Sequence, residues 1–429
     1  MDRIEINKAK RFKGEFSPTP DKSISHRAVI LSSLSKGKSV IRNFLKAEDP
    51  ISTINAFRAL GVEIDDKVEE VIVNGNGIYG LTEPINVIDC GNSGTTIRML
   101  SGVLSGNPFF SVLTGDESLR KRPMARVINP LKEMGARIMA RAEDRYPPVA
   151  IRGGKLRPAK YSMPVASAQV KSAILLAGLY AEGETEITEP VKSRDHTERM
   201  LPAFGAKVAA EGLRVRIKGG TELTGTDIHV PGDFSSAAFF IVGALLIRNS
   251  DITIKNVGIN PTRTGLLGAL KKMGAEIELS NIRDLSGEPV ADIRCTGDVV
   301  LKAIEVTKEE VPALIDEFPV LCVAATQAEG ITTIKGAGEL RIKESDRIKS
   351  MATELRKMGA DVEEFEDGLS IRGRSTLRGA EVESYGDHRI AMAMAIAGLI
   401  AEGATGIHGV GAVNISFPGF FEIIRKMTS

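Results

Sequence analysis

Met351-Ala352-Thr353-Glu354-Leu355-Arg356-Lys357-Met358-Gly359-Ala360-Asp361-Val362 reads as an amphipathic helical run, a glycine stop and the opening of a strand. Met351, Leu355 and Met358 fall at i, i+4 and i+7, the spacing of a helix with one buried face. Gly359 then stands where a helix turns left-handed to stop. The same sentence recurs at Leu60-Gly61-Val62, Met134-Gly135-Ala136, Phe204-Gly205-Ala206 and Met273-Gly274-Ala275, the five glycines lying 74, 70, 69 and 85 residues apart. A sixth such helix, Phe420 to Met427, closes the chain with no strand after it. A repeat of this length decides the fold before any single element does.

The other half of each unit also recurs. Ser25–Asn43, Ser93–Gly115, Ser167–Glu189, Ser235–Asn256, Asp316–Gly336 and His388–Gly409 each read as a helix, a turn and a strand. The runs after Ser167 and His388 are small and apolar on nearly all faces, and a helix of that kind lies inside a protein. The expectation is an α/β (α+β) protein with the small-residue helices inside and the amphipathic ones outside. Six units without the strict alternation of a TIM barrel predict two domains of three units each. The 429 residues are too many for one ordinary core and agree. Val230-Pro231-Gly232-Asp233 is the turn signal at the boundary.

Net charge is +1 with the signs interspersed, which excludes a nucleic-acid or anionic-membrane stripe. Cys90, Cys295 and Cys322 show no paired spacing, so a disulfide framework is excluded and a reducing compartment fits. The start lacks an apolar leader core, and the apolar runs near Ala237–Ile247 and Ile390–Ala401 are shorter than a membrane span. A cytoplasmic enzyme is expected, with no membrane and no nucleic-acid partner.

Each small-residue helix opens on polar residues: Asp21 to Arg27, Gly91 to Thr96, Ser167 to Gln169, Asp233 to Ser236, Asp316-Glu317 and Gly386 to Arg389. Helix N-termini present unpaired N–H groups and attract anions. Ser, Asp and Asn there can equally be N-caps, but caps do not account for the interleaved cations Lys22, Arg27 and Arg389. Two charged segments, Gly115–Met124 and Arg341–Arg347, occupy the same place in their units, between an inner strand and an outer helix. Together these features predict an anion-binding cleft. Gly75-Asn76-Gly77-Ile78-Tyr79-Gly80 matches a dinucleotide fingerprint, but Leu81 to Pro84 follows where a helix is required.

At these positions the chain resembles the EPSP synthase family of enolpyruvyl transferases. The motifs run in order: Lys22-Ser23-x-Ser25-x-Arg27, Gly91-Asn92-x-Gly94-Thr95-Thr96-x-Arg98, Arg120-x-Arg122-Pro123-Met124 and Ser167-Ala168-Gln169-x-Lys171-Ser172. Ser193-Arg194-Asp195-His196-Thr197-Glu198, Arg341-x-Lys343-Glu344-Ser345-Asp346-Arg347 and Gly386-Asp387-His388-Arg389 complete the set. The match spans Pro20 to Pro418, and the Arg194 and Leu119-Arg120-Lys121-Arg122 segments are similar to the bacterial class II subgroup.

The resemblance implies a two-domain enolpyruvyl transferase fold with six βαβαββ-type units, three per domain. The domains would be residues 15–230 and residues 231–429, the latter completed by the first strand, 1–14, with the active site in a cleft that closes on substrate. It implies transfer of the enolpyruvyl group of phosphoenolpyruvate to the 5-hydroxyl of shikimate 3-phosphate, the sixth step of the shikimate pathway toward chorismate. It also implies a monomer, no metal or organic cofactor, and glyphosate as an inhibitor. Both substrates are polyanions, which arginine pairs in bidentate fashion and lysine meets as a point charge.

By the same resemblance, shikimate 3-phosphate is held by Lys22, Ser23, Arg27, Ser167, Ala168, Gln169, Arg194, Asp316 and Lys343. Phosphoenolpyruvate is held by Lys22, Asn92, Gly94, Arg122, Gln169, Glu344, Arg347 and Arg389. Addition and elimination need a base for the hydroxyl, an acid for the methylene carbon and a base to recover that proton. Asp316 is the candidate for the first, with Glu344 and Lys22 for the rest. One departure is Ile415, two residues before Phe417-Pro418, where many members carry lysine.

Two other readings compete. The sister enzyme acting on UDP-N-acetylglucosamine carries Lys-Asn where this chain has Lys22-Ser23, and a reactive cysteine where this chain has Arg120-Lys121-Arg122-Pro123. Inactivation by fosfomycin separates the two. A non-catalytic repeat scaffold would have no reason to gather cations at inner helix starts.

Overall fold

The repeat glycines Gly61, Gly135, Gly205, Gly274 and Gly359 all adopt left-handed backbone, with φ between +85° and +103°. An L-residue pays for that conformation and glycine does not, so the first five outer helices stop where the repeat places its glycine. The computed structural model describes Asp2–Ser429. Its outer helices are Glu48–Ala59, Ala125–Glu133, His196–Met200, Gly265–Lys272, Arg347–Lys357 and Phe420–Thr428. The third is short and passes into the 3-10 turn Leu201–Phe204, where Pro202 cannot continue the hydrogen-bond ladder.

The inner helices are Lys22–Leu34, Gly94–Ser105, Ala168–Gly178, Phe234–Leu246, Phe318–Gln327 and His388–Ile400. Val170 through Gly178 and His388 through Leu399 are buried without a break, as their all-round small apolar faces require. The first three inner helices build one core and the last three a second.

Each repeat is laid out in the same way, and the second shows it. Ile88–Asp89 leads, the inner helix follows, and Phe110–Thr114 returns parallel to the leading strand, with Ile88 opposite Leu113. After the outer helix comes the hairpin Arg137–Ala140 and Tyr146–Arg152, whose second strand runs antiparallel to Phe110–Thr114. Five four-stranded sheets follow this order, and the sixth has three strands.

Three sheets are completed from far along the chain. Ile228–His229 leads the first sheet, pairing with Ile41 and Arg42. Lys13–Phe16 leads the fourth, running parallel to Asp251–Gly258. Arg3–Ile6 joins the last sheet antiparallel to Thr405–His408, with Arg3 opposite His408.

The chain divides into two compact units, each holding three of the sheets. One is Pro20–Pro231 with the hairpin tip Asp284–Glu288; the other is residues up to Thr19, Gly232–Arg283 and Pro289–Ser429. Gly75–Gly80 leaves its strand into a turn, and the next helix begins only at Gly94. Among the described residues no helix is long and apolar enough to cross a membrane.

Candidate active site

In the unit containing Pro20–Pro231, the predicted residues gather at the first turns of the three inner helices. Asp21 caps the first by accepting from Ile24 N–H, Ser93 caps the second through Thr96 N–H, and Ser167 caps the third through Val170 N–H. In the other unit Asp233 and Asp387 cap two further inner helices. Five of the six first turns use one N–H donor on their own Ser or Asp cap, which leaves the other first-turn donors and the neighbouring cations to meet an anion.

Lys22, Ser23, Asn92, Arg122, Ser167, Ala168, Gln169 and Arg194 are all half-buried, neither lost in the core nor freely solvated. The Lys22 ammonium lies 3.1 Å from Asp49 Oδ2. Asn92 donates through Nδ2 to Asp116 Oδ2 at 2.7 Å and accepts at Oδ1 from Arg122 Nη2 at 3.0 Å. Gln169 accepts from Arg98 Nη1 and donates to Thr95 Oγ1 at 2.9 Å. Gly94 is the first residue of its helix, and a Cβ built there would stand 2.8 Å from Arg98 Nη1 and 3.1 Å from Arg122 Nη1. The glycine is what lets two guanidinium groups approach that turn together.

Arg27 is more deeply placed than the sequence reading implied. It is buried, with Nε 2.7 Å from Thr197 Oγ1, Nη1 2.9 Å from Ser23 O and Nη2 2.9 Å from Ser172 Oγ. Burial pulls its guanidinium down to about 10, opposed by Glu198 and Asp21. His26, on the same helix, is buried against Thr53, and burial with Lys22 nearby holds it well below the usual histidine range, so it is neutral.

In the other unit, Arg347 is the centre. It is 1% exposed, with Nε 2.8 Å from Asp387 Oδ2, Nη1 3.1 Å from Asp316 Oδ1 and Nη2 2.7 Å from Glu344 Oε2. Burial works against its charge, but Asp387, Glu344 and Asp316 outweigh it and raise the guanidinium above the ordinary arginine range. Arg389 adds Nη2 at 3.4 Å from Asp316 Oδ2 and Nη1 at 3.1 Å from Asp316 O. Lys343 is half-buried, and desolvation lowers its ammonium to about 8 despite Asp316 and Glu344. Arg347, Arg389 and Lys343 thus face Asp316, Glu344 and Asp387 in a balanced cluster.

Asp316 is not a helix cap. It lies between the short helix Val311–Leu314 and the inner helix, whose cap residue is Glu317. Its carboxylate is taken up by the two arginines instead. Ile415 ends the 3-10 turn Val410–Ile415, half-buried, while Phe417 behind it packs with Phe240 and Phe420.

The site list drawn from sequence omits several residues that hold its members: Arg98, Asp49, Asp116, Ser172, Thr197 and Asp387. Arg98 had a visible signal, four residues after Gly94 on the same helix. Asp116 lies in the charged segment Gly115–Met124, whereas Asp49 had no signal, because an isolated acid on an outer helix looks like solvated surface. Cys90, Cys295 and Cys322 are buried, and desolvation raises their thiols, that of Cys295 to about 12. Among the described residues no group of three His, Cys, Asp or Glu side chains is arranged to hold a metal ion.

Comparison with known proteins bears on this geometry. The family model described as EPSP synthase (3-phosphoshikimate 1-carboxyvinyltransferase) matches residues 6–424. A 3-phosphoshikimate 1-carboxyvinyltransferase from Thermodesulfovibrio yellowstonii is 58% identical over 431 aligned positions, covering 100% of both chains. The structure of EPSP synthase from Acinetobacter baumannii superposes with a TM-score of 0.89 at 48% identity, covering 100% of this chain and 98% of that one. The enolpyruvyl transferase NikO from Streptomyces tendae shares the fold, with a TM-score of 0.82 at 16% identity over 99% of this chain and 97% of that one.

Proposed function

Because the chain belongs to the EPSP synthase family, we propose that its two clusters serve one enolpyruvyl transfer, from phosphoenolpyruvate to the 5-hydroxyl of shikimate 3-phosphate. The observation that carries this reading is Arg347, which binds Asp316 and Glu344 at once beside Arg389 and Lys343. Two carboxylates tied to one guanidinium supply proton acceptors, with Arg389 and Lys343 beside them to meet an anionic substrate.

Shikimate 3-phosphate is assigned to Ser23, Arg27, Ser167, Ala168, Gln169, Arg194 and Lys343. Phosphoenolpyruvate is assigned to Asn92, Gly94, Arg122, Arg347 and Arg389, with Lys22 reaching both. The 5-hydroxyl oxygen attacks the substituted alkene carbon while its proton passes to Asp316. The methylene carbon gains a proton and becomes a methyl group, giving a tetrahedral ketal phosphate. The carbon–oxygen bond to phosphate then breaks, phosphate leaves, and the methyl group returns a proton as the alkene re-forms. Lys22 and Glu344 supply and recover that proton.

The protein is proposed to act as a cytoplasmic monomer. The activity is tested by phosphate release from phosphoenolpyruvate. Release that depends on shikimate 3-phosphate supports the assignment. Release that instead depends on UDP-N-acetylglucosamine would overturn it.

A further inference from the structure

Glu317 is 0% exposed, next in sequence to Asp316, and takes no part in the steps above. It stands at the cap position of the inner helix Phe318–Gln327 without making a cap hydrogen bond. Its Oε1 accepts the hydroxyl proton of Ser235, at the start of the inner helix Phe234–Leu246. The Ser235 oxygen in turn accepts from Arg263 Nη2 at 2.8 Å, and the same nitrogen lies 3.1 and 3.2 Å from the two Asp233 oxygens. Arg263, Asp233 and Ser235 are 3%, 4% and 3% exposed, so the whole chain of contacts is out of water.

Buried ionic networks are often no more stabilising than apolar packing of the same volume, so stability alone is a weak reason for this one. Its geometry offers another reason. Asp316 belongs to a short link between two helices, and neighbouring Cα atoms stand about 3.8 Å apart, so fixing Glu317 fixes Asp316. The segment that carries Arg263 also grips the other side of the link. Gly265, two residues on, lies so close to Ala313 that a Cβ would sit 2.8–3.0 Å from its backbone and side chain.

We propose that Glu317 is a positioning residue, holding the Asp316 turn through Ser235 and Arg263 so that the Asp316 carboxylate meets Arg347 and Arg389. The inference rests on the assignment of Asp316 as the base. A carboxylate displaced by about 1 Å loses of order a hundredfold in rate, with little loss of binding.

The test compares Ser235→Ala, Glu317→Leu and Glu317→Gln with Asp316→Ala, all checked for folding by circular dichroism. Ser235→Ala and Glu317→Leu are expected to lower kcat about tenfold or more, with KM for both substrates within about threefold of wild type. The acid limb of the kcat profile should move to higher pH, because a carboxyl drawn away from two guanidinium groups binds its proton more readily. Glu317→Gln, which can accept the same hydroxyl bond, should restore most of the turnover. An active Asp316→Ala would remove the base assignment and this proposal with it. A dead Asp316→Ala beside near-normal kcat in folded Ser235→Ala and Glu317→Leu would overturn the positioning role alone. So would a loss seen only in KM, or failure of both network variants to fold.

Discussion

Asp316 Oδ1 lies 3.1 Å from Arg347 Nη1, and the same guanidinium reaches Glu344 and Asp387 through its other nitrogens. Removing the Asp316 carboxylate therefore leaves Arg347 with two partners and the cluster folded. Asp316→Ala is expected to keep substrate binding largely intact while turnover falls at least about a hundredfold, the lower range for losing general acid–base help. Near-normal turnover by the phosphate-release assay would take Asp316 out of the mechanism.

Lys343 carries a measurable cost. Its pKa falls from 10.5 to about 8, chiefly by burial. At about 1.4 kcal/mol per unit, the charged ammonium costs roughly 3 kcal/mol of stability below pH 8. Between about 8 and 10.5 the unfolded chain binds more protons than the folded one, so stability should rise with pH across that window. Lys343→Met should raise the thermal midpoint at pH 7 and flatten this rise, while weakening shikimate 3-phosphate. A variant melting at the same temperature as wild type would show that the ammonium pays no burial penalty.

Lys171 is wholly buried, 2.8 Å from Glu189 and 2.6 Å from Glu198. Lys171→Met would leave Glu189 held only by Ser193 and Glu198 without its ammonium partner, at about 3–5 kcal/mol. Urea unfolding of both proteins checks this; a deficit below about 1 kcal/mol contradicts it.

Gly94 faces Arg98 and Arg122 at Cβ distances of 2.8 and 3.1 Å. Both are the far ends of flexible side chains, so Gly94→Ala should fold, with the two guanidinium groups displaced. Added bulk in a packed site costs about 1–3 kcal/mol. Phosphoenolpyruvate should bind more weakly, and glyphosate, with its longer body, more weakly still. The ratio of glyphosate inhibition constant to phosphoenolpyruvate KM should rise; an unchanged ratio would sink the steric account.

The two clusters were unequally legible. Lys22, Arg27, Asn92, Gly94 and Gln169 sit in short motifs at helix starts, where spacing along the chain sets spacing in space. Asp316 could also be read from sequence as a helix cap, and the structure pairs its carboxylate with Arg347 and Arg389 instead. Glu317, Ser235 and Arg263 form one network from positions far apart in sequence; Glu317 and Ser235 read only as polar helix starts, and nothing local marks Arg263.

What the chain determines by itself is the repeat. The helical spacing of apolar residues, the glycine at five of the six outer helix ends and the Ser or Asp at most inner helix starts act over a few residues, because backbone conformation and capping are short-range. Only the tertiary structure decides that Lys13–Phe16 completes the sheet of Asp251–Gly258 and Ile228–His229 that of Lys36–Arg42. It alone decides that Arg347 is shared among three carboxylates. Strand pairing and ion pairing depend on distance in space, and in this fold that distance is set by the packing of helices from different repeats.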